Sequence, residues 1–126
     1  MFYNKFIPVL IACTMVSLIS GCNTEQTNNV VKENNPVQVA LHSMGENFQD
    51  NVSNLSVIQH VNSGESPDKV VVTIEESGLL DDSISAEKTV FTMRYQKGRW
   101  QIVNRVKTQR CWSERGHQDF SEQPCN

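Results

Sequence analysis

Glu87-Lys88-Thr89-Val90-Phe91-Thr92-Met93-Arg94-Tyr95-Gln96, then Lys97-Gly98, then Arg99-Trp100-Gln101-Ile102-Val103-Asn104-Arg105-Val106-Lys107-Thr108-Gln109-Arg110, is the stretch on which the fold turns. Two runs rich in β-branched and aromatic residues flank a two-residue turn with glycine second, the pattern of a tight antiparallel hairpin. Pairing Gln96 with Arg99 sets Tyr95 against Trp100, Met93 against Ile102 and Thr89 against Val106. Side chains alternate along a strand, so Phe91, Met93, Tyr95, Trp100, Ile102 and Val106 gather on one face. The opposite face receives Thr92, Arg94, Arg99, Gln101, Arg105 and Lys107. A slip of one residue would exchange the two sets, so the pattern itself argues for this register.

Upstream, Lys69-Val70-Val71-Val72-Thr73-Ile74-Glu75 is β-branched throughout and reads as a strand, ended by Gly78. The three consecutive valines imply that both faces are partly covered there. Leu55, Val57, Gln59 and Val61 alternate with their neighbours and suggest a further strand over 55–62. Before it, Val37, Leu41, Met44, Phe48, Val52 and Leu55 recur at three and four residues, the period of one helical face. Pro36 suits the first turn of a helix, and the reading predicts a helix over 37–51 despite Gly45. Asp81-Asp82 lacks the oxygen donors at fixed spacing that a calcium loop requires and reads as a turn. The fold class expected is α+β: one N-terminal helix packed on a three- to four-stranded antiparallel meander, with a C-terminal tail closed by a disulfide.

The first residues are of another kind. Lys5 is followed by an apolar run to Ile19, with small residues Ser20 and Gly21 before Cys22. A run this short does not comfortably cross a bilayer, which takes about 20 apolar residues, and its flanks are those of a cleaved leader. Ile19-Ser20-Gly21-Cys22 resembles the lipobox of bacterial lipoproteins. The resemblance implies cleavage before Cys22, acylation of that residue, and an address in the cell envelope. Asn23, rather than Asp, after the cysteine favours the outer membrane, facing the periplasm. One acyl chain holds a protein only marginally, at about 0.8 kcal/mol per buried methylene; several on one residue hold it durably. The domain plan expected is therefore 1–21 signal peptide, 22–36 lipid-anchored tether, 37–126 small domain. Asn23 to Asn35 is almost devoid of apolar residues and cannot offset the entropy of ordering.

Composition agrees with one small domain. The whole chain has a formal charge of −3, and removal of residues 1–21 takes one lysine, giving −4. This balance favours no nucleic acid partner, and no cofactor motif is present. Residues 23–85 carry two basic and ten acidic side chains, and residues 86–126 eight basic and four acidic. Of four cysteines, Cys13 would leave with the leader and Cys22 would be lipidated. Cys111 and Cys125 remain as an even pair in an oxidising compartment, which predicts a disulfide; they lack the CxxC spacing of a metal or redox pair, and no neighbouring Cys or His cluster is expected. Trp112 and Phe120 of the tail are expected to pack back on the sheet edge.

Gly78-Leu79-Leu80-Asp81-Asp82-Ser83, Gly98-Arg99-Trp100-Gln101-Ile102-Val103 and Arg115-Gly116-His117-Gln118-Asp119-Phe120 with Cys125 are similar to small bacterial envelope proteins of uncharacterised function. That likeness implies a shared domain and carries no activity. Three functional readings follow. The first is a membrane-anchored envelope lipoprotein presenting a non-catalytic interaction domain. Its candidate surface is the face of Arg94, Arg99, Arg105 and Lys107, turned toward an envelope protein or anionic ligand, or else the stapled tail; taken alone, the sheet face reads more readily as solvated and balanced by acids such as Glu75. The second is a small-ligand-binding module with a pocket between helix and sheet, lined by Phe48, Phe91 and Trp100. The third is a hydrolase around His117 and Asp119, although no serine or cysteine nucleophile stands beside them in sequence.

Overall fold

The computed structural model describes residues 35–126. The leader, Cys22 and nearly all of the expected tether lie outside the described residues. The elements run α1 (Pro36–Ser43), β1 (Asn54–Val61), β2 (Lys69–Ser77), β3 (Ile84–Gln96) and β4 (Arg99–Cys111). The strands form one antiparallel sheet in the order β1-β2-β3-β4. Every neighbour in sequence is thus a neighbour in space, the simplest path for a chain with short turns. The sheet dominates the described residues, and the one helix among them is short.

The hairpin forms as its turn chemistry predicts. Lys97 and Gly98 both take positive φ, 54° and 77°, the conformation that matches the right-handed twist of the flanking strands. Gln96–Arg99, Tyr95–Trp100 and Met93–Ile102 pair as expected. The register then shifts. Thr92 pairs with Asn104, so Val103 is an extra residue, and beyond it Phe91 faces Arg105, Val90 faces Val106 and Thr89 faces Lys107. A bulge of this kind flips every later side chain of the bulged strand relative to an unbroken ladder. The expected grouping of Val106 with Phe91 is therefore wrong: Val106 lies on the far face, and Arg105 and Lys107 join Phe91.

The helix is also shorter than the expected 37–51. Asn35 caps it, its side chain accepting from the amides of Val37 and Gln38 at 3.0 and 3.4 Å, and Pro36 occupies the first turn, where no amide is needed. It stops after Ser43. Gly45 takes φ +105° and Gln49 φ +67°, and the chain continues as turns closed by Phe48 N–H to Gly45 C=O and Asp50 N–H to Asn47 C=O. Met44 and Phe48 keep their inward positions without being helical, which is why the apolar period ran on.

The core lies between α1 and one sheet face. Ala40, Val70, Val72, Ile74, Phe91, Met93 and Trp100 are buried, with Val37, Val39, Leu41, Met44, Phe48 and Ile102 packed around them. Among the described residues, no helix covers the other face. Across it run Ile58, Thr73, Val90 and Val106, register partners on successive strands, and Thr73 and Val90 are only half-buried.

Candidate functional site

The basic face expected from the sequence is divided by the bulge. Arg94 pairs with Gln101 and, on its other side, with Lys69. Gln96 and Arg99 share that side by alternation. Arg105 and Lys107 project to the helix side instead. The Arg105 guanidinium sits 5.4 Å from the Phe91 ring centroid and donates to the carbonyl of Ser43 at 3.4 Å. Lys107 Nζ lies 3.0 Å from Glu87 Oε1. These two cations are thus tied into the helix side of the domain.

What remains on the open face is a smaller basic end made by Lys69, Arg94 and Arg99. Lys69 and Arg94 are direct cross-strand partners and both are exposed. Like charges placed opposite one another destabilise a sheet. Their row continues to Gln101 and contains no acid. Three rows away on the same face, Glu75 does stand across from Lys88, so charge balance within the sheet holds there and not at Lys69–Arg94. Lys69 has no basic neighbour in sequence, and only the β2–β3 register reveals its place in the cluster.

The tail is built from several independent ties. Cys111 and Cys125 form the expected disulfide, with Cα atoms 5.6 Å apart. Gln109 and Ser121 exchange backbone hydrogen bonds of 2.9 and 3.0 Å, and the Cys111 amide donates to the His117 carbonyl at 3.0 Å. Phe120 lies on the sheet as expected, with Lys88 Nζ 4.0 Å and the Arg110 guanidinium 5.2 Å from its ring centroid. Trp112 is 41% exposed, and its indole N–H donates to the Asp81 carbonyl at 2.7 Å. Asp81 in turn closes its own turn, its carboxylate accepting from the amides of Ser83 and Ile84 at 2.8 and 2.7 Å. The Ile84 amide first, then that of Ser83, hold this carboxyl below its ordinary pKa.

His117 has a role that its sequence context did not announce. Its Nδ1 and Nε2 each lie 2.8 Å from a carbonyl oxygen, of Asp119 and Gln123 respectively. A carbonyl can only accept, so satisfying both contacts requires a proton on each nitrogen, the imidazolium form. The Gln123 carbonyl, followed by that of Asp119, raises the pKa above its usual 6.5. With both nitrogens donating, the ring has no lone pair left to accept a proton from a substrate. The Asp119 carboxylate, 82% exposed, stands 3.9 Å from Nδ1. The sulfurs of Cys111 and Cys125 and a ring nitrogen of His117 lie within 4.8 Å of one another, so a histidine does neighbour the cysteines. The sulfurs are bonded to each other and the nitrogens to carbonyls, so the trio serves as a staple.

Two open clefts flank the sheet. The first, about 320 Å³, is lined by the 47–53 segment, Glu76 and residues 78–81. At its centre Gln49 Nε2 donates to Glu76 and to Ser53 Oγ, and Ser53 Oγ donates to Glu76 at 3.2 Å. The second, about 360 Å³, runs between Ser77-Gly78, Ser85 and the start of the tail. Phe48 lines the first cleft, but Phe91 and Trp100 line neither and belong to the packed core.

No family model matches this chain, and no curated protein or solved structure matches it. Among the described residues, no helix is long and apolar enough to cross a membrane.

Proposed function

We propose that this chain is an envelope lipoprotein, held by acyl groups on Cys22 and presenting the sheet face opposite α1, beyond the end that Phe120 covers, to an envelope protein with an acidic surface. The observation that carries the reading is the Lys69–Arg94 pair. Two cations are set side by side on the sheet face that no helix among the described residues covers, two rows from the half-buried pair Thr73 and Val90. Placing like charges across a ladder costs stability, and an anionic partner docking there offsets that cost. The lipobox-like Ile19-Ser20-Gly21-Cys22 supports the anchor, and the Cys111–Cys125 bond accords with maturation in an oxidising compartment.

Two experiments test the two halves separately. Metabolic labelling with radioactive palmitate should mark the chain and be lost in Cys22→Ser; an unlabelled chain, in cells that acylate other lipoproteins, removes the anchor. Chemical crosslinking in envelope membranes should yield a specific adduct that disappears in the double variant Lys69→Glu, Arg94→Glu. It should persist in Lys107→Glu, since Lys107 is on the other face. An adduct indifferent to the first pair, or abolished by the second change, contradicts the open-face reading.

A second reading is favoured by the first cleft, where Gln49, Ser53 and Glu76 converge beneath Val52 and Leu80, each 90% exposed. A small polar ligand binding there should perturb Glu76 and leave Arg94 untouched. Amide and methyl shift mapping with envelope extract fractions decides between the two.

A further inference from the structure

The two edges of the sheet are finished differently. The β4 edge carries Arg99, Arg105, Lys107 and Arg110, contains the bulge at Val103, and is closed at its end by the tail through Gln109 and Ser121. Charges, bulges and covering segments are the usual protections of a strand edge. Among the described residues, β1 has none of them. Asn54-Leu55-Ser56-Val57-Ile58-Gln59-His60-Val61 holds no Lys, Arg, Asp, Glu or Pro, pairs with β2 without a register break, and is exposed along its whole length.

The orientation of its free backbone groups follows from the ladder. The Asn62 amide donates to the Lys69 carbonyl at 3.1 Å, in register with β1–β2. Antiparallel pairs alternate, so His60, Ile58, Ser56 and Asn54 turn their N–H and C=O toward β2. Leu55, Val57, Gln59 and Val61 turn theirs outward. The side chains of Leu55, Val57 and Val61 continue the core-side rows of Glu76, Ile74 and Val70. They remain 45%, 37% and 47% exposed, although Val70 and Ile74 beside them are 0% and 1% exposed.

We propose that β1 pairs with β1 of a second copy of this chain, antiparallel about a two-fold axis at Ile58, joining two four-stranded sheets into one. In that register the outward residues bond to one another: Leu55 with Val61 and Val57 with Gln59, each repeated by symmetry. Leu55 and Val61 of the two copies meet as apolar partners on the core side. On the open side Ile58 meets Ile58, and Ser56 meets His60. Shifting the pairing by two residues in either direction leaves outward groups at one end unpaired. An uncharged strand meets its own copy without repulsion, whereas the four cations of β4 disfavour self-pairing there. The isologous contact closes on itself and leaves no further β1 edge to extend a fibre.

The test is register-specific disulfide trapping of the full chain in its membrane. Partners in a non-hydrogen-bonded antiparallel pair have Cα atoms about 4.5 Å apart, within the span a disulfide bridges. Ile58→Cys should run mostly at twice the monomer mass on a non-reducing gel. Val103→Cys, 50% exposed on the β4 edge, should match the unmodified chain. Ser56→Cys and His60→Cys should each stay monomeric alone and dimerise together. Gln59→Pro, which removes an outward amide and no β1–β2 bond, should abolish trapping through Ile58→Cys. Should Gln59→Pro disturb folding, as read by Trp100 emission, Ile58→Lys replaces it: light scattering of detergent-solubilised protein should show a dimer for the unmodified chain and a monomer for the variant. The dimer should survive Lys69→Glu with Arg94→Glu, which separates it from the open-face partner. Monomeric Ile58→Cys, equal trapping through Val103→Cys, or linkage of Ile58→Cys to a polypeptide of another mass overturns the proposal.

Discussion

Cutting the Cys111–Cys125 bond is expected to lower the melting temperature of the domain by about 15 °C. The bond joins residues 14 apart, and the loop-closure entropy it removes from the unfolded chain corresponds to about 3 kcal/mol. Residues 35–126 are a domain for which each kcal/mol moves the midpoint by about 4–8 °C. The lower half of the resulting range is the better estimate, because other ties survive reduction: the Gln109–Ser121 pair, the Cys111–His117 bond and Phe120 between Lys88 and Arg110. Thermal unfolding followed by far-ultraviolet circular dichroism should be run on the oxidised chain, on the phosphine-reduced chain, and on Cys125→Ser. The last two should agree, since Cys125 is only partly buried and its replacement leaves the buried Cys111 in place. A shift under about 3 °C in both would refute the reasoning and show that the tail is held by its non-covalent contacts alone.

Phe91→Ala should destabilise the domain by about 3–5 kcal/mol in urea unfolding, because Phe91 is fully buried at the centre of the core; a loss under 1 kcal/mol would mean that the helix does not pack there. Gly116→Ala should hinder closure of the disulfide, since an added Cβ would stand 2.8 Å from Cys111 Sγ at a φ of +141°. Free-thiol titration reads this directly, and full oxidation at the unmodified rate would contradict it. The His117 staple gains from protonation, because its folded-state pKa is raised. Its contribution is complete below the usual histidine value and is lost as pH rises through the raised one. Amide exchange at Gln123, Cys125 and Asn126 should therefore accelerate, beyond the intrinsic base-catalysed rise, as pH climbs past neutrality; protection that is flat across that window would contradict the doubly donating ring.

Local chemistry made the hairpin legible: Lys97-Gly98 demanded a tight turn, and the apolar alternation up to Ile102 matched it. The strand at Lys69 and the cysteine pair were legible for similar reasons, β-branching in one case and parity in the other. The bulge was not. Ile102-Val103-Asn104-Arg105-Val106 offers an apolar residue to either face, so nothing in the string says which of Ile102 and Val103 lacks a partner. That one extra residue decides whether Arg105 and Lys107 accompany Arg94 or oppose it. The helix was overextended because Met44 and Phe48 must face the core whether the chain reaches them by helix or by turns. Gly45 and the positive φ at Gln49 settle the matter for turns. Lys69 beside Arg94, and His117 beside the sulfurs, are products of pairing and loop closure between residues distant in sequence.

The division of the sheet into a helix-covered face and a docking face can be read at two consecutive residues. A photoreactive side chain placed at Val106, on the open face, should form an adduct with the partner in intact cells, and the adduct should vanish when Lys69 and Arg94 are both changed to Glu. The same side chain at Lys107, one residue on and on the opposite face of the sheet, should form none. Adducts from position 107 but not 106, or an adduct from 106 untouched by the charge reversal, would contradict the account.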